Sequence, residues 1–418
     1  MSTKICFYNH TGHVSGAERV LANVLTGLGP EYQRVLIAPP STGMKALSLQ
    51  AGVRLEPIAE VSARFTSRPD KLLRYVKDLA KPISQLRLHI KREQPDLIHA
   101  NSTRAGLIAY LSTIGLCVPV IWHIHDVLKR HPISTAIRFI LASSKRNTAL
   151  AVSHATAKKL CGKVLRLLPS RATVLVIHNG VRTLPLLPAK KIQQFKQSIG
   201  ANSATLLIGI IGQVTPRKGQ LELVRAFAQL LQDTPQARLL IVGSSMFNRD
   251  GDYLNMLKRE VNRLGISEAV LFLGYRSDVS TILQGLDVLV LNSSSEPFSI
   301  VLLEALANAT PVVAAGVDGV PELIIDNENG RLFPVRNEEA MLVAIRDLLR
   351  DRSKAKQLGF AGRTRVADHF SQELFLRKID ELYRRILPSR QGQPETPGAP
   401  GRLAEKHLAG QRASHPTA

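Results

Sequence analysis

The stretch Val288-Leu289-Val290-Leu291-Asn292-Ser293-Ser294-Ser295-Glu296-Pro297-Phe298-Ser299-Ile300-Val301-Leu302-Leu303-Glu304-Ala305 decides how this chain is read. Its first four residues are a short apolar run of the kind a buried parallel strand needs. An acid, a proline and a small residue follow, and Ile300-Val301-Leu302-Leu303 reads as the first turn of a helix. A strand that breaks into a helix N-terminus presents the backbone N–H groups of Phe298, Ser299 and Ile300 at the carboxyl edge of a sheet. The helix dipole there favours an anion. Glu304 lies three and four residues beyond Val301 and Ile300 and so shares their face of the helix. The result is an anion cradle flanked by two carboxylates, Glu296 and Glu304, able to accept hydrogen bonds from hydroxyls. A sugar nucleotide carries that combination of charge and hydroxyls.

The pattern resembles the acid-Pro-Phe-Gly/Ser…Glu-Ala signature of retaining, GT-B-fold glycosyltransferases of family 4. The resemblance runs from about Lys4 to Leu387. It implies donor phosphates on the Phe298–Ser299 backbone, the donor sugar on Glu296 and the ribose hydroxyls on Glu304. The family often has Gly where this chain has Ser299, a departure that a backbone contact tolerates.

Further motifs stand at the carboxyl ends of apolar runs. Leu206–Ile211 ends in Gly212-Gln213-Val214-Thr215-Pro216-Arg217-Lys218-Gly219, a turn whose adjacent cations can neutralise a diphosphate. The family's Gly…Lys-Gly loop makes Arg217 and Lys218 the diphosphate pair. After Tyr8, the run Asn9 to Arg19 resembles the family's Gly-Gly-Ala/Thr-Glu loop. Ser15 replaces the first glycine, so Gly16 carries the close approach to the donor, and Glu18 supports the helix or an ion pair. Trp122-His123-Ile124-His125-Asp126 ends another apolar run, where the family places a His near the donor sugar. We expect His125 in that role with Asp126 orienting it, and His123 as a structural neighbour. Ser153 and Asn179-Gly180-Val181 match structural turns of the family. Gly274-Tyr275-Arg276 would lie near the nucleobase through backbone contacts.

The runs Lys4–Tyr8, Arg34–Ala38, Leu97–Ala100, Val120–His123, Thr148–Val152 and Thr173–Ile177 alternate with helical segments. This is the rhythm of a parallel, doubly wound α/β sheet. A proline-punctuated linker at Pro185–Pro188 interrupts it. It resumes with Thr205–Ile211, Arg238–Val242, Val270–Leu273, Val288–Leu291 and Pro311–Ala314. We expect a GT-B pair of Rossmann-like domains facing across a cleft, an acceptor-binding one over residues 1–184 and a nucleotide-sugar-binding one over residues 185–387. The family's closing C-terminal helix falls at Ser371–Leu387, and residues 388–418 read as a disordered tail.

A length of 418 residues with 44% hydrophobic content suits two cores. Cys6, Cys117 and Cys161 lack ligand-like spacing and read as reduced core residues of a cytosolic protein. No signal peptide is apparent after Met1. Ala105–Trp122 holds no charge over 18 residues, but Gly115 and Pro119 divide it into a helix and a strand.

The formal charge of +22 is uneven, with +16 on residues 1–180, +4 on residues 181–387 and +2 beyond. A basic first half implies an anionic partner. The candidates are nucleic acid, a membrane leaflet and a phosphorylated acceptor. The lack of a recognisable nucleic-acid-binding motif, with 5% aromatic content, makes nucleic acid the weakest, so we expect none. Between Lys71 and Arg92, apolar Leu72, Val76, Leu79, Ile83, Leu86 and Ile90 recur at helical spacing with seven cations between them, interrupted by Pro82. Lys129-Arg130-His131, leading to Ala136–Leu141, is a second basic region. Such stripes suit packing on a sheet. The charge asymmetry tips the expectation to peripheral contact with an anionic membrane, on its inner face.

Asp250-Gly251-Asp252 has the look of a metal-binding motif, yet it precedes Tyr253–Leu264, where Asp252 would cap a helix. We expect no metal and no cofactor, with Arg217 and Lys218 supplying the positive charge. The reading is transfer of a sugar from a UDP- or GDP-sugar to a lipid-linked saccharide, with retention, in envelope or exopolysaccharide assembly. A nucleotide-sugar epimerase and a non-catalytic sugar-nucleotide-binding subunit are the alternatives. Intact Glu296, Arg217, Lys218 and His125 argue against the second.

Overall fold

The computed structural model describes residues 2–61, 69–128, 131–167, 172–245 and 248–387. The expected tail at residues 388–418 and the pair Lys129-Arg130 lie outside them. The first lobe is built on β1 (Thr3–Tyr8), β2 (Tyr32–Ala38), β3 (Arg54–Pro57), β4 (Leu97–Ala100), β5 (Val120–Ile124), β6 (Asn147–Ala151) and β7 (Thr173–Val176). The second holds β8 (Leu206–Ile211), β9 (Ala237–Val242), β10 (Val270–Gly274), β11 (Val288–Leu291), β12 (Val312–Ala315) and β13 (Arg331–Phe333).

The strand orders are β3-β2-β1-β4-β5-β6-β7 and β10-β9-β8-β11-β12-β13. Every pairing is parallel. Each sheet starts in its middle and winds both ways, so its order reverses between β1 and β4 and again between β8 and β11. A crevice opens beyond the carboxyl ends of strands at such a point, where ligands of doubly wound sheets bind. The two units are thus Rossmann-like, as the GT-B expectation requires.

Central strands are buried on both faces, which is why they read as unbroken apolar runs. The edge strands β3 and β13 escape a sequence reading because they are short and polar, Arg54-Leu55-Glu56-Pro57 and Arg331-Leu332-Phe333. The charge-free stretch resolves into helix Thr103–Ser112 and strand β5. Of the cysteines expected in the core, Cys6 is buried in β1, whereas Cys117, in the loop between that helix and β5, is exposed. No helix among the described residues is long and apolar enough to cross a membrane.

Two apolar layers flank each sheet. The helix Gln372–Ile386 leaves the second lobe and packs on the first, where Phe375, Ile379, Leu382 and Tyr383 join Ile5, Phe7, Leu97 and Ile121. Burying four such side chains stabilises this crossing by about 1.5–3 kcal/mol each. The crossing is sewn by Val181 N to Phe370 O at 3.0 Å and Gln372 N to Val181 O at 3.1 Å. A Cβ at Gly180 would stand 2.4 Å from Ser371 O, so only glycine lets the two segments meet.

The basic segment forms one helix, Pro69–Glu93, with Pro82 inside it. Leu79, Leu86 and Ile90 are buried, and Ile83 packs beside them on the first sheet. This part of the apolar stripe is core. Side chains of Leu72 and Val76 lie outside the described residues. Two of the cations are held within the protein: Arg87 donates to Ser112 O and Ile114 O, and Arg92 pairs with Glu93 and Glu56. Lys77, Lys81 and Lys91 face solvent.

Candidate active site

In the second lobe the chain leaves β8 through Gly212, makes a 3₁₀ turn over Pro216–Lys218 and enters helix Gln220–Asp233 at Gly219. Gly219 has φ +69 and a Cβ there would stand 2.3 Å from Asn292 O, so glycine is needed for the loop to lie against the exit of β11. Asn292 Nδ2 donates to Gly219 O at 3.0 Å and Ser294 N to Arg217 O at 2.9 Å. The two loops beside the reversal point are thereby laced together.

That lacing brings three of the expected residues to one place. Lys218 Nζ lies 2.6 Å and Arg217 Nη1 3.7 Å from Glu296 Oε2, and Arg217 also donates to Ser295 O at 2.8 Å. Ser293 Oγ donates to the same carboxylate at 2.9 Å. Glu296 is 7% exposed. Burial alone would raise its carboxyl, yet Lys218 and Arg217 hold it below the ordinary value, so it is ionised.

Helix Ile300–Ala307 starts where the sequence places it, with Ser299 Oγ accepting from Leu302 N. Phe298 is buried and stacks near His178 with ring centroids 5.0 Å apart. Glu304 meets Arg19 Nη1 of the first lobe at 2.8 Å through Oε1, while its Oε2 is buried with no partner among the described residues. Burial raises the Glu304 carboxyl against the pull of Arg19. An acceptor oxygen left bare in this way is suited to a ligand hydroxyl.

Across the gap, helix Gly16–Gly27 begins at Ser15, whose N–H and Oγ both donate to Glu18 Oε2, at 2.9 and 2.6 Å. Glu18 thus supports the helix start. A Cβ on Gly16 would stand 3.8 Å from Ile300 Cγ1, so the two helix N-termini face one another at contact distance. Two dipole ends of the same sign come near one another there, beside the Arg19–Glu304 pair, an arrangement suited to an anion.

His125 follows β5, and its partner differs from expectation. Nε2 lies 3.1 Å from Asn101 Oδ1, while Asp126 is exposed. Asn101 Nδ2 donates to Asn9 Oδ1 and Ala17 O, so its Oδ1 accepts. The network therefore assigns the proton to Nε2 of His125 and leaves Nδ1 as an acceptor. Burial pushes this imidazole down to about 3, so it is neutral at physiological pH. His123 is the structural neighbour expected, fully buried, with Nδ1 3.0 Å from His99 Nε2. His99 Nδ1 in turn meets Tyr383 Oη at 2.6 Å.

Arg276 is not drawn into the cluster. Its side chain forms a bidentate pair with Asp278, at 2.8 and 2.7 Å, within its own loop. Asp250-Gly251-Asp252 lies inside helix Asn248–Arg263, so Asp252 is not the cap the sequence suggested. His154, His178 and Glu322 offer ligand atoms all within 4.8 Å of one another. However, Glu322 already accepts from His154 N and Ala155 N and meets His178 Nε2 at 2.7 Å. The start of helix His154–Leu167 points its positive end there, which suits a carboxylate cap better than a metal ion.

Known proteins resemble both lobes of this chain. The profile described as Glycosyl transferases group 1 matches residues 191–365, and that of Glycosyltransferase Family 4 matches residues 14–183. The chain is 25% identical to the Escherichia coli UDP-Gal:alpha-D-GlcNAc-diphosphoundecaprenol alpha-1,3-galactosyltransferase, over 68% of this chain and 74% of that one. It is 26% identical to the N-acetyl-alpha-D-glucosaminyl L-malate synthase of Bacillus anthracis, over 71% and 76%. In fold it is similar to Anabaena HepE, solved in complex with UDP-glucose, with TM-score 0.78, 24% identity, and 91% and 99% of the two chains covered. The sucrose-phosphate synthase of Thermosynechococcus elongatus superimposes with TM-score 0.74 at 21% identity, over 92% and 99%.

Proposed function

We propose, on the premise that this chain is a GT-B glycosyltransferase of the hexosyl-transferring class, that it moves a sugar from a UDP- or GDP-sugar to a lipid-linked saccharide with retention. The observation that carries this reading is the buried, ionised Glu296 held at 2.6 Å from Lys218, at the reversal point of the second sheet. In it, residues 185–387 take the nucleotide sugar and residues 1–184 the acceptor. The E. coli relative, whose name gives UDP-Gal and a diphosphoundecaprenol-linked acceptor, supports the donor and acceptor classes and a role in envelope or exopolysaccharide assembly. The charge of +16 on the first 180 residues supports an anionic acceptor at the inner face of a membrane, with the protein cytoplasmic and peripheral.

The chemistry follows from charge. Breaking the bond between the anomeric carbon and phosphate leaves negative charge on the diphosphate and positive charge on the sugar. Arg217, Lys218 and the helix start at Phe298–Ile300 stabilise the first, as preorganised charges and dipoles do. Glu296 accepts from sugar hydroxyls, and the bare Glu304 Oε2 from the ribose. His125, neutral, offers Nδ1 as an acceptor beside the sugar. The departing phosphate takes the acceptor's proton on the same face, which gives retention without a covalent nucleophile. Arg217 and Lys218 do the work of a metal, so a chelator leaves the rate unchanged. The test is release of nucleoside diphosphate from a panel of UDP- and GDP-sugars, with membrane extract as the acceptor source. Release with one donor, rising with extract, is expected; none with any donor contradicts the proposal.

A further inference from the structure

Asp318, in the loop after β12, has a left-handed backbone with φ +48. A side chain in that region costs of order 1 kcal/mol or more, and such outliers persist where the surroundings require them. Here the side chain is 2% exposed and serves the Glu296 loop. Asp318 Oδ2 accepts from Ser295 Oγ at 2.7 Å and from Glu296 N at 2.9 Å. Oδ1 pairs with Lys159 Nζ, which belongs to the first lobe. Ser153, also of the first lobe, donates through Oγ to Pro297 O at 2.7 Å. On the other side Gly319 N donates to Glu296 O at 3.1 Å, and a Cβ on Gly319 would stand 2.0 Å from Pro297 O.

The geometry points to Lys159, acting through Asp318, as a positioning residue that ties the seating of the first lobe to the placement of Glu296. It rests on the reading of Glu296 as a donor-sugar ligand. Lys159 is 47% exposed, so as a stabilising ion pair it contributes at most about 1 kcal/mol. Its effect is positional. With Lys159 present, the Asp318 carboxylate is charge-balanced and holds the Glu296 peptide in a charge-assisted hydrogen bond. Without it, a nearly buried anion stands unpaired next to the Glu296 loop, and the loop relaxes. A lobe that swings away takes Lys159 and Ser153 with it, so the carboxylate is set for the sugar only when the lobes are together.

The test uses the full chain with K159M and K159R, and two readouts. In the free protein, K159M should speed amide exchange of the segment holding Glu296 about fivefold, with K159R close to wild type. For nucleoside diphosphate release from the donor panel, K159M should lose about tenfold or more in kcat with donor KM within about twofold, and K159R should recover most of it. Unchanged exchange at Glu296 in K159M, or an equal kcat loss in K159R, would overturn the assignment. Absence of release by the wild-type protein would instead defeat the donor reading, and the exchange comparison would still decide the clamp.

Discussion

On the proposed function, Lys218 is the residue on which transfer turns. The loop bearing it is held by Gly219, Asn292 and Ser294, so removing its side chain leaves the backbone laced. Lys218→Ala should therefore lower turnover by about 10²–10³-fold, the range for losing one preorganised charge contact, with a smaller loss of thermal stability because Glu296 keeps Arg217 and Ser293 as partners. Turnover within twofold of wild type would remove its role. Glu296, Lys218, Arg217 and Gly16 were legible because each follows an apolar run, and a doubly wound sheet gathers strand exits on one edge. Their buttresses were not. Asn101 reaches His125 from 24 residues away and Asp318 reaches Glu296 from 22, and a single polar residue in a loop carries no periodic signal. Asp126, next in sequence to His125, was the natural expectation for orienting it. The fold supplies Asn101 instead, because β4 lies beside β5.

The helix Gln372–Ile386 is the element whose consequences reach furthest. It was legible as a closing helix, but its polar contact was not, since Tyr383 and His99 are 284 residues apart. Tyr383→Phe leaves His99 Nδ1 buried without a partner and should cost about 1–3 kcal/mol of stability. No loss would mean the pair is not formed. The histidines under this helix also set a pH dependence. Burial pushes His99 down to about 3 and His123 well below its ordinary 6.5. The unfolded chain binds their protons near pH 6.5 while the folded one does not, so stability falls as pH drops from 6.5 towards 3. His99 contributes about 2 kcal/mol of that loss by pH 5, and His123 adds to it in the same direction. The melting temperature should fall between pH 7 and pH 5, and the slope should be shallower in His99→Leu at equal starting stability. A flat profile would contradict the buried neutral pair. Elsewhere at this scale, β3 and β13 were missed because edge strands are polar and short.

For the molecule as a whole, two sheets joined by one linker followed from the spacing of apolar runs, and the contact between lobes did not. Arg19 to Glu304, Lys159 to Asp318 and Ser153 to Pro297 are long-range pairs that the fold alone creates. The charge asymmetry is a property of the same scale. Since Leu79, Ile83, Leu86 and Ile90 serve the core, the proposed membrane contact of this helix rests on its exposed cations rather than on these four apolar residues. Replacing Lys77, Lys81 and Lys91 by Glu should weaken binding to anionic liposomes at low salt, at about 1 kcal/mol per charge near the surface. Unaltered binding would leave packing as the helix's sole role.

The central claim is that the gap between the lobes receives a nucleoside diphosphate. A crystal structure with UDP or GDP bound tests it most directly. The account predicts phosphates within hydrogen-bonding reach of Arg217, Lys218 and the Phe298–Ile300 backbone, with the ribose hydroxyls on Glu304. A nucleotide seated elsewhere would contradict it.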